Sequence, residues 1–200
     1  MNRDRVLDAA TKVARRDGIE GLSIASVAKV AGVTPMALYR HVSNREDLVQ
    51  GIVNRAASNI EFPDDCADDP ASEIEAVFCA FYDTLCREDW LVPHLISGQR
   101  GGEAALPLVV RALRAFEAIG LPRGQVWHAC APLVHYTYGE VLALSTQQRA
   151  ARERAIQKPF ETEAGNAIRD FAMNADRIDP RSCYQTTLRR YLKAIVDEVG

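Results

Sequence analysis

The residues best placed to do chemistry lie between Ser23 and Arg45. Within Thr34 to His41, Arg40 carries a planar guanidinium able to give two donors to one guanine edge. Met36 stands four residues earlier and shares its helical face. Met36 and Ala37 offer the apolar contact that thymine methyl groups accept. Ser23, Thr34, Tyr39, His41 and Arg45 are polar or cationic residues at predicted helix ends, where backbone amides also point toward phosphate. Tyr39 has two readings: its ring belongs to a small core, or its hydroxyl reaches phosphate. The chemistry on offer is recognition of a nucleic acid, not the making or breaking of bonds.

A second group is scattered further along: Trp90, His94, Trp127, His135 and Tyr138. Large aromatics with polar tips, mixed with histidine, can line an apolar pocket that holds a small molecule with a few directed hydrogen bonds. The competing reading is that each of them fills a core or an interface. His94 stands evenly between a ligand contact and a satisfied buried histidine. His128 and His135 are seven apart and share a helix face, but a metal site needs further ligands, and packing is the favoured reading.

Catalysis finds little support. The sequence holds no G-x-S-x-G, no H-E-x-x-H and no Walker-type glycine loop. Cys66, Cys79, Cys86, Cys130 and Cys183 form an odd set without a C-x-x-C pair, which argues against disulfides and zinc knuckles. No cofactor and no metal are expected.

The elements that must position these residues are helices. Val6, Leu7, Ala10, Val13 and Ala14 repeat at helical spacing before Gly18. Ile24, Val27, Ala28 and Ala31 form a short second helix that Ser23 can cap, Gly32-Val33 makes the turn, and Thr34-Pro35 opens the third. Ser43-Asn44-Arg45-Glu46 has the form of a capping box, with Leu48, Val49, Ile52, Val53 and Ala56 as the buried stripe behind it. Phe62 to Pro70 is an acidic linker. Beyond it, helices are expected from about Ile74 to Asp89, Leu108 to Ile119, Val126 to Leu144 and Arg181 to Glu198, with a glycine-rich loop at Ser97 to Gly102. A mobile connection fills Thr146 to Asp179. The last two helices carry enough apolar surface to pair with their own copies as a four-helix bundle, with Leu192 and Ile195 in the seam.

The formal net charge of −3 is unevenly spread. Residues 1–60 carry +3 and the remainder −6, so attraction for phosphate is concentrated at one end. No apolar run approaches the roughly 18 residues that span a bilayer, and the charged start Met1-Asn2-Arg3-Asp4-Arg5 is followed by no signal-type stretch, so a cytoplasmic location without a membrane partner is expected.

Two short helices joined by a glycine turn and braced by a third are the parts of a helix-turn-helix. The stretch Gly21 to Leu48, with its Leu-Tyr-x-His-Val and Asn-Arg-Glu-x-Leu segments, resembles the N-terminal signature of the TetR family of repressors over roughly residues 3–55. The linker and the helices after it resemble, more loosely, the body of the tetracycline-repressor branch. The resemblance implies a homodimer on a near-palindromic operator in double-stranded DNA, with a small-molecule site in the body. It also implies that Pro35, Met36 and Arg40 face bases while Ser23, Thr34, Tyr39, His41 and Arg45 hold phosphates. No pocket residue carries over.

The expectation is therefore an all-α protein with two domains. Residues 1–60 form the DNA-binding head, with its helix-turn-helix at about 23–42, and residues 61–200 form the ligand-binding and dimerisation body. Its function would be regulation of transcription, as a repressor released by a small molecule, and it would not be an enzyme. The alternatives are a DNA-binding regulator whose body binds a protein or nothing, and a helical enzyme with a structural three-helix head.

Overall fold

A computed structural model of the chain describes residues 2–61, 69–99, 101–145 and 179–199, with the single positions 166 and 170. The linker expected at Phe62 to Pro70 lies outside the described residues up to position 68. So does the connection expected at Thr146 to Asp179, apart from positions 166, 170 and 179. All the elements described are helical: α1 (Arg3–Asp17), α2 (Ile24–Ala31), α3 (Pro35–Leu38), α4 (Arg45–Ser58), α5 (Pro70–Arg87), α6 (Leu91–Ile96), a 3-10 turn at Glu103–Ala105, α7 (Leu106–Ile119), α8 (Arg123–Leu144) and α9 (Pro180–Val199). Among the described residues, no helix is long and apolar enough to cross a membrane.

The first four helices end where local chemistry requires it. Asn2 caps α1, its side chain accepting the Arg5 amide at 3.0 Å. Ser23 caps α2 in a reciprocal box with Ser26, each side chain accepting the other's amide. Gly32 then takes the left-handed conformation, φ 69°, which lets the Val33 amide return to the Ala28 carbonyl and turns the chain sharply. Thr34 caps α3, with Pro35 at its first position. The capping box expected from Ser43 and Glu46 is displaced by one residue. Asn44 is the cap of α4 and accepts from Asp47 N at 2.9 Å, while Asp47 Oδ2 accepts the Ser43 amide at 2.9 Å. The shift has a tertiary cause: Arg3 on α1 binds Asp47 at 2.6 Å, which holds the carboxylate over this helix start.

Hydrogen bonds from the Arg3 side chain, then from the Ser43 amide, hold the Asp47 carboxyl below the usual carboxylate range. A carboxyl lowered on folding contributes stability that is complete above its unfolded value, about 3.9, and is lost as pH falls through the lower folded value. Asp47→Asn should therefore lower stability at neutral pH and flatten the acid limb of the curve. Urea melts between about pH 2 and 7 check this, and an unchanged acid limb would rule out Asp47 as its source.

By density of contacts the chain divides into two units, residues 1–62 with 80–111, and residues 63–79 with 112–200. The division passes through α5 and α7. In the first unit, Val6, Val13, Leu22, Val27, Leu38, Leu48 and Ile52 are fully enclosed and knit α1 to α4 around one core. The short helix α6 lies between the helix end expected near Asp89 and the loop expected at Ser97, where the sequence reading placed no element. Its Leu91 and Val92 are buried.

In the second unit, Tyr184 of α9 is wholly buried and stacks on Tyr136 of α8, ring centroids 5.3 Å apart. Its hydroxyl lies 2.8 Å from Thr137 Oγ1 and donates to the Phe78 carbonyl at 3.2 Å, which ties α5, α8 and α9 together. Arg189 and Gln185 of α9 both donate to Glu75 of α5. Leu192 and Ile195, expected in a seam between two copies, are instead buried within their own unit. Their faces are already taken up by intrachain packing, and the exposed large apolar residues on α8 and α9 are Trp127 and Val196.

Candidate nucleic-acid interface

Only Leu38 of α3 is buried, and its side chain is the anchor from which this four-residue helix is hung. Pro35 and Met36 are exposed and Ala37 is half-buried. Met36 is 75% exposed and Tyr39, just past the helix, 54%. What distinguishes these two is their place, three residues apart on and just after the helix that a helix-turn-helix presents to the major groove. Ser23, Thr34, Pro35, Arg40 and Arg45 are exposed and His41 is half-buried. The eight residues expected to meet DNA thus all lie on α2, α3, the first turn of α4 or the caps and turn around them, with solvent access to each. Tyr39 has its ring exposed, which removes the reading that it packs in the core.

Four of these residues also work within the head. Ser23 and Thr34 accept the amides that start α2 and α3. The His41 carbonyl accepts from Arg3 at 2.7 Å. Arg45 donates from Nε to the Leu22 carbonyl at 2.8 Å and from Nη2 to the Ile19 carbonyl at 2.7 Å, closing the loop between α1 and α2. Arg40 has no intramolecular hydrogen bond or ion pair among those resolved, and its guanidinium is the one on the reading face best able to engage a base.

Sequence reading missed the residues that fix α1 and α4 in place. Arg3 holds both the His41 carbonyl and Asp47. Glu88 is buried and accepts from Arg15 Nε at 3.0 Å, from Arg15 Nη2, and from Trp90 Nε1 at 2.6 Å. Asn54 of α4 accepts the Glu103 amide at 2.7 Å, and Gly102 lies against the α4 backbone. Apart from the Glu88–Trp90 bond, each partner is tens of residues away, so these contacts leave no local pattern. Gly102 could have been flagged only as part of a Gly-Gly pair, which reads as loop.

The five residues expected around a ligand are distributed between the two units. Trp90 and His94 belong to the first, and both are buried. Trp90's indole N–H is already bonded to Glu88. The cleft beside it, about 190 Å³, is walled by Asp8, Lys12, Arg15, Arg55 and Glu88, smaller and more charged than the roughly 300–1,000 Å³ apolar sites that hold drug-sized molecules. Trp127, His135 and Tyr138 belong to the second unit, on α8. Trp127 is 62% exposed, His135 is exposed, and Tyr138 is half-buried, with burial pushing its phenol up.

Comparison with known proteins accords with this arrangement. The family description for bacterial regulatory proteins of the tetR family matches residues 6–52, and that for the tetracyclin repressor-like C-terminal domain matches residues 62–173. The HTH-type transcriptional repressor DrrR1 of Streptomyces coeruleorubidus is 28% identical over 154 residues, covering 76% of this chain and 57% of that protein. The chain therefore aligns with little more than half of DrrR1's length. Among solved structures, a TetR regulator of Streptomyces coelicolor superposes with a TM-score of 0.73 at 21% identity, covering 100% of both chains. The Streptomyces coelicolor protein ActR, in complex with actinorhodin, superposes at 0.73 with 16% identity, covering 100% of this chain and 97% of that one. At such identities the structural likeness speaks for the fold. With the family descriptions matching most of its length, the chain belongs to the TetR family of bacterial DNA-binding regulatory proteins.

Proposed function

We propose that this protein is a sequence-specific DNA-binding regulator of transcription, a homodimer that represses from a near-palindromic operator and is released by a small molecule. The observation that carries the DNA reading is the exposed surface of α3 and the turn after it, where Met36 and Arg40 stand in solvent while Leu38 alone on α3 is buried. Residues 1–60 act as the head and 61–200 as the body. Such a protein works where the chromosome is, in the bacterial cytoplasm. Repression is supported by the likeness to DrrR1, which is named a repressor, and a small-molecule effector by the likeness to ActR, solved with actinorhodin bound. Within the body, exposed Trp127 on α8 and Val196 on α9 support self-association. The residues proposed to meet an effector are those expected from sequence, Trp90, His94, Trp127, His135 and Tyr138, of which Trp90 is engaged by Glu88 and Trp127 and His135 face outward.

Two reading helices in a twofold dimer should meet half-sites about 34–36 Å apart. Selection from random duplexes with the purified protein should therefore return near-palindromes. Arg40→Ala should cost about 1–3 kcal/mol and relax the preference at one base position in each half-site. A loss spread equally over all sequences would instead make Arg40 a phosphate contact. Release is tested by screening aromatic and apolar compounds against the operator complex, and insensitivity to all of them would favour a body that binds a protein or nothing.

A further inference from the structure

Helix α8 is apolar on all sides, yet its own chain covers only one of them. Val126, Cys130, Leu133, Thr137 and Val141 are buried. Gly124, His128, Pro132, His135 and Gly139 are exposed, with Ala131 half-buried among them. At about 100° per residue these six fall in one narrow stripe. No Lys, Arg, Asp or Glu occurs from Gly124 to Gly139. A methyl group added at Gly124 or Gly139 would meet nothing within 4 Å, so both ends of the stripe are open to close approach.

The stripe reads the same from either end. Gly124 and Gly139, His128 and His135, and the small pair Ala131 and Pro132 are equidistant from the midpoint between positions 131 and 132. A twofold interface requires a surface that complements itself. A helix crossing its own copy antiparallel at that midpoint sets each of these residues level with its counterpart. Charge selects the direction. Arg123 and Glu140 bound the uncharged stretch and are equidistant from the same midpoint. Antiparallel crossing sets Arg123 level with the partner's Glu140, whereas parallel crossing sets each level with its own like charge.

We propose that α8 crosses its own copy antiparallel at Ala131–Pro132, and that His128 of each protomer and the partner's His135 form a two-imidazole site for a divalent transition-metal ion. The proposal rests on the homodimer reading above and specifies its register. Both histidines lie near the centre line of the stripe, so they meet across the seam and not past it. Imidazole nitrogen suits zinc, nickel and copper ions. The two symmetric sites are seven residues apart, about 10 Å along the axis. No group of three or more ligand-type residues forms within the chain among its described residues, and this site takes one imidazole from each protomer, so it exists only in the dimer, with water left to fill the ion's remaining positions.

The test uses full-length protein with Cys66, Cys86 and Cys183 replaced by serine. His128→Cys and His135→Cys are made separately, mixed to allow subunit exchange, and oxidised. The mixture should form a disulfide-linked dimer, while neither variant alone should, since its like positions lie about 10 Å apart and a disulfide needs Cα atoms within about 7 Å. Disulfide formation by either variant alone would overturn the antiparallel register. With the histidines intact, nickel at ten times its dissociation constant should tighten the dimer about a hundredfold in sedimentation, about tenfold for each of the two sites, and His128→Ala or His135→Ala should each abolish that gain. A wild-type dimer indifferent to nickel overturns the metal site. A dimer whose mixed variants do not cross-link overturns the register and leaves the homodimer reading intact. A monomeric wild type overturns both.

Discussion

Leu38→Ala should abolish operator binding for every sequence alike. Helix α3 is a single turn long, and Leu38 is its one buried residue, with no measurable exposure. A helix this short has no stability of its own and exists because it is docked. Truncating an enclosed leucine leaves a cavity and costs about 2–5 kcal/mol. The head is small, and much of that loss falls on the one contact that orients Met36 and Arg40. The contrast with Arg40→Ala is diagnostic. That substitution leaves α3 in place and should change which bases are preferred, whereas Leu38→Ala should remove specific and non-specific binding together. Titration against selected and scrambled duplexes, with thermal melts beside it, separates the two. Retained preference in Leu38→Ala, at any reduced affinity, would show that α3 does not depend on this anchor.

Gly102→Ala should destabilise the protein by about 1–3 kcal/mol and weaken operator binding with it. The backbone at Gly102, φ −68° and ψ 138°, is open to any residue, so conformational entropy alone would favour alanine. Space decides otherwise. A Cβ there would lie 2.7 Å from the Ala57 Cβ, 2.9 Å from the Asn54 Cα and 2.9 Å from the Val53 carbonyl oxygen, and the last two are backbone atoms that cannot rotate away. Helix α4 would have to shift, and with it the Asn54 bond to the Glu103 amide. Because α4 starts beside the reading helix at Arg45, such a shift should reach the DNA face. Urea midpoints measure the first effect and duplex titration the second. Wild-type stability in Gly102→Ala would mean that α4 is not clasped at this point.

The helices were legible because each carries its own signal. Gly18, Gly32 and Gly120 sit at helix ends with positive φ, where only the lack of a side chain is comfortable. The apolar stripes of α1 and α4 repeat at 3.6 residues and are buried where that period puts them. The end of α5 was legible to within about two residues, but the short helix α6 was not, because six residues around Pro93 carry too little periodicity to mark a helix. The start of α4 was misplaced by one residue for a different reason. Ser43 and Asn44 are near-equal caps by local preference, and Arg3, on a different helix, selects between them through Asp47.

By itself, the sequence determined the helical class and the helix-turn-helix between Ser23 and Val42, and it nominated the residues proposed to meet DNA. Caps, turns and periodicity are contacts over three or four residues and are written in order along the chain. Only the tertiary structure decided which cations are spent inside the protein. Arg45 bonds two backbone carbonyls, Arg15 a buried carboxylate and Arg3 both a carbonyl and Asp47, while Arg40 faces outward. It also decided that Leu192 and Ile195 belong to an intrachain core and that the stripe from Gly124 to Gly139 does not. Apolar character tells that a face must be covered. Whether its own chain or a second copy covers it depends on which long-range neighbours arrive first, and that is a property of the fold.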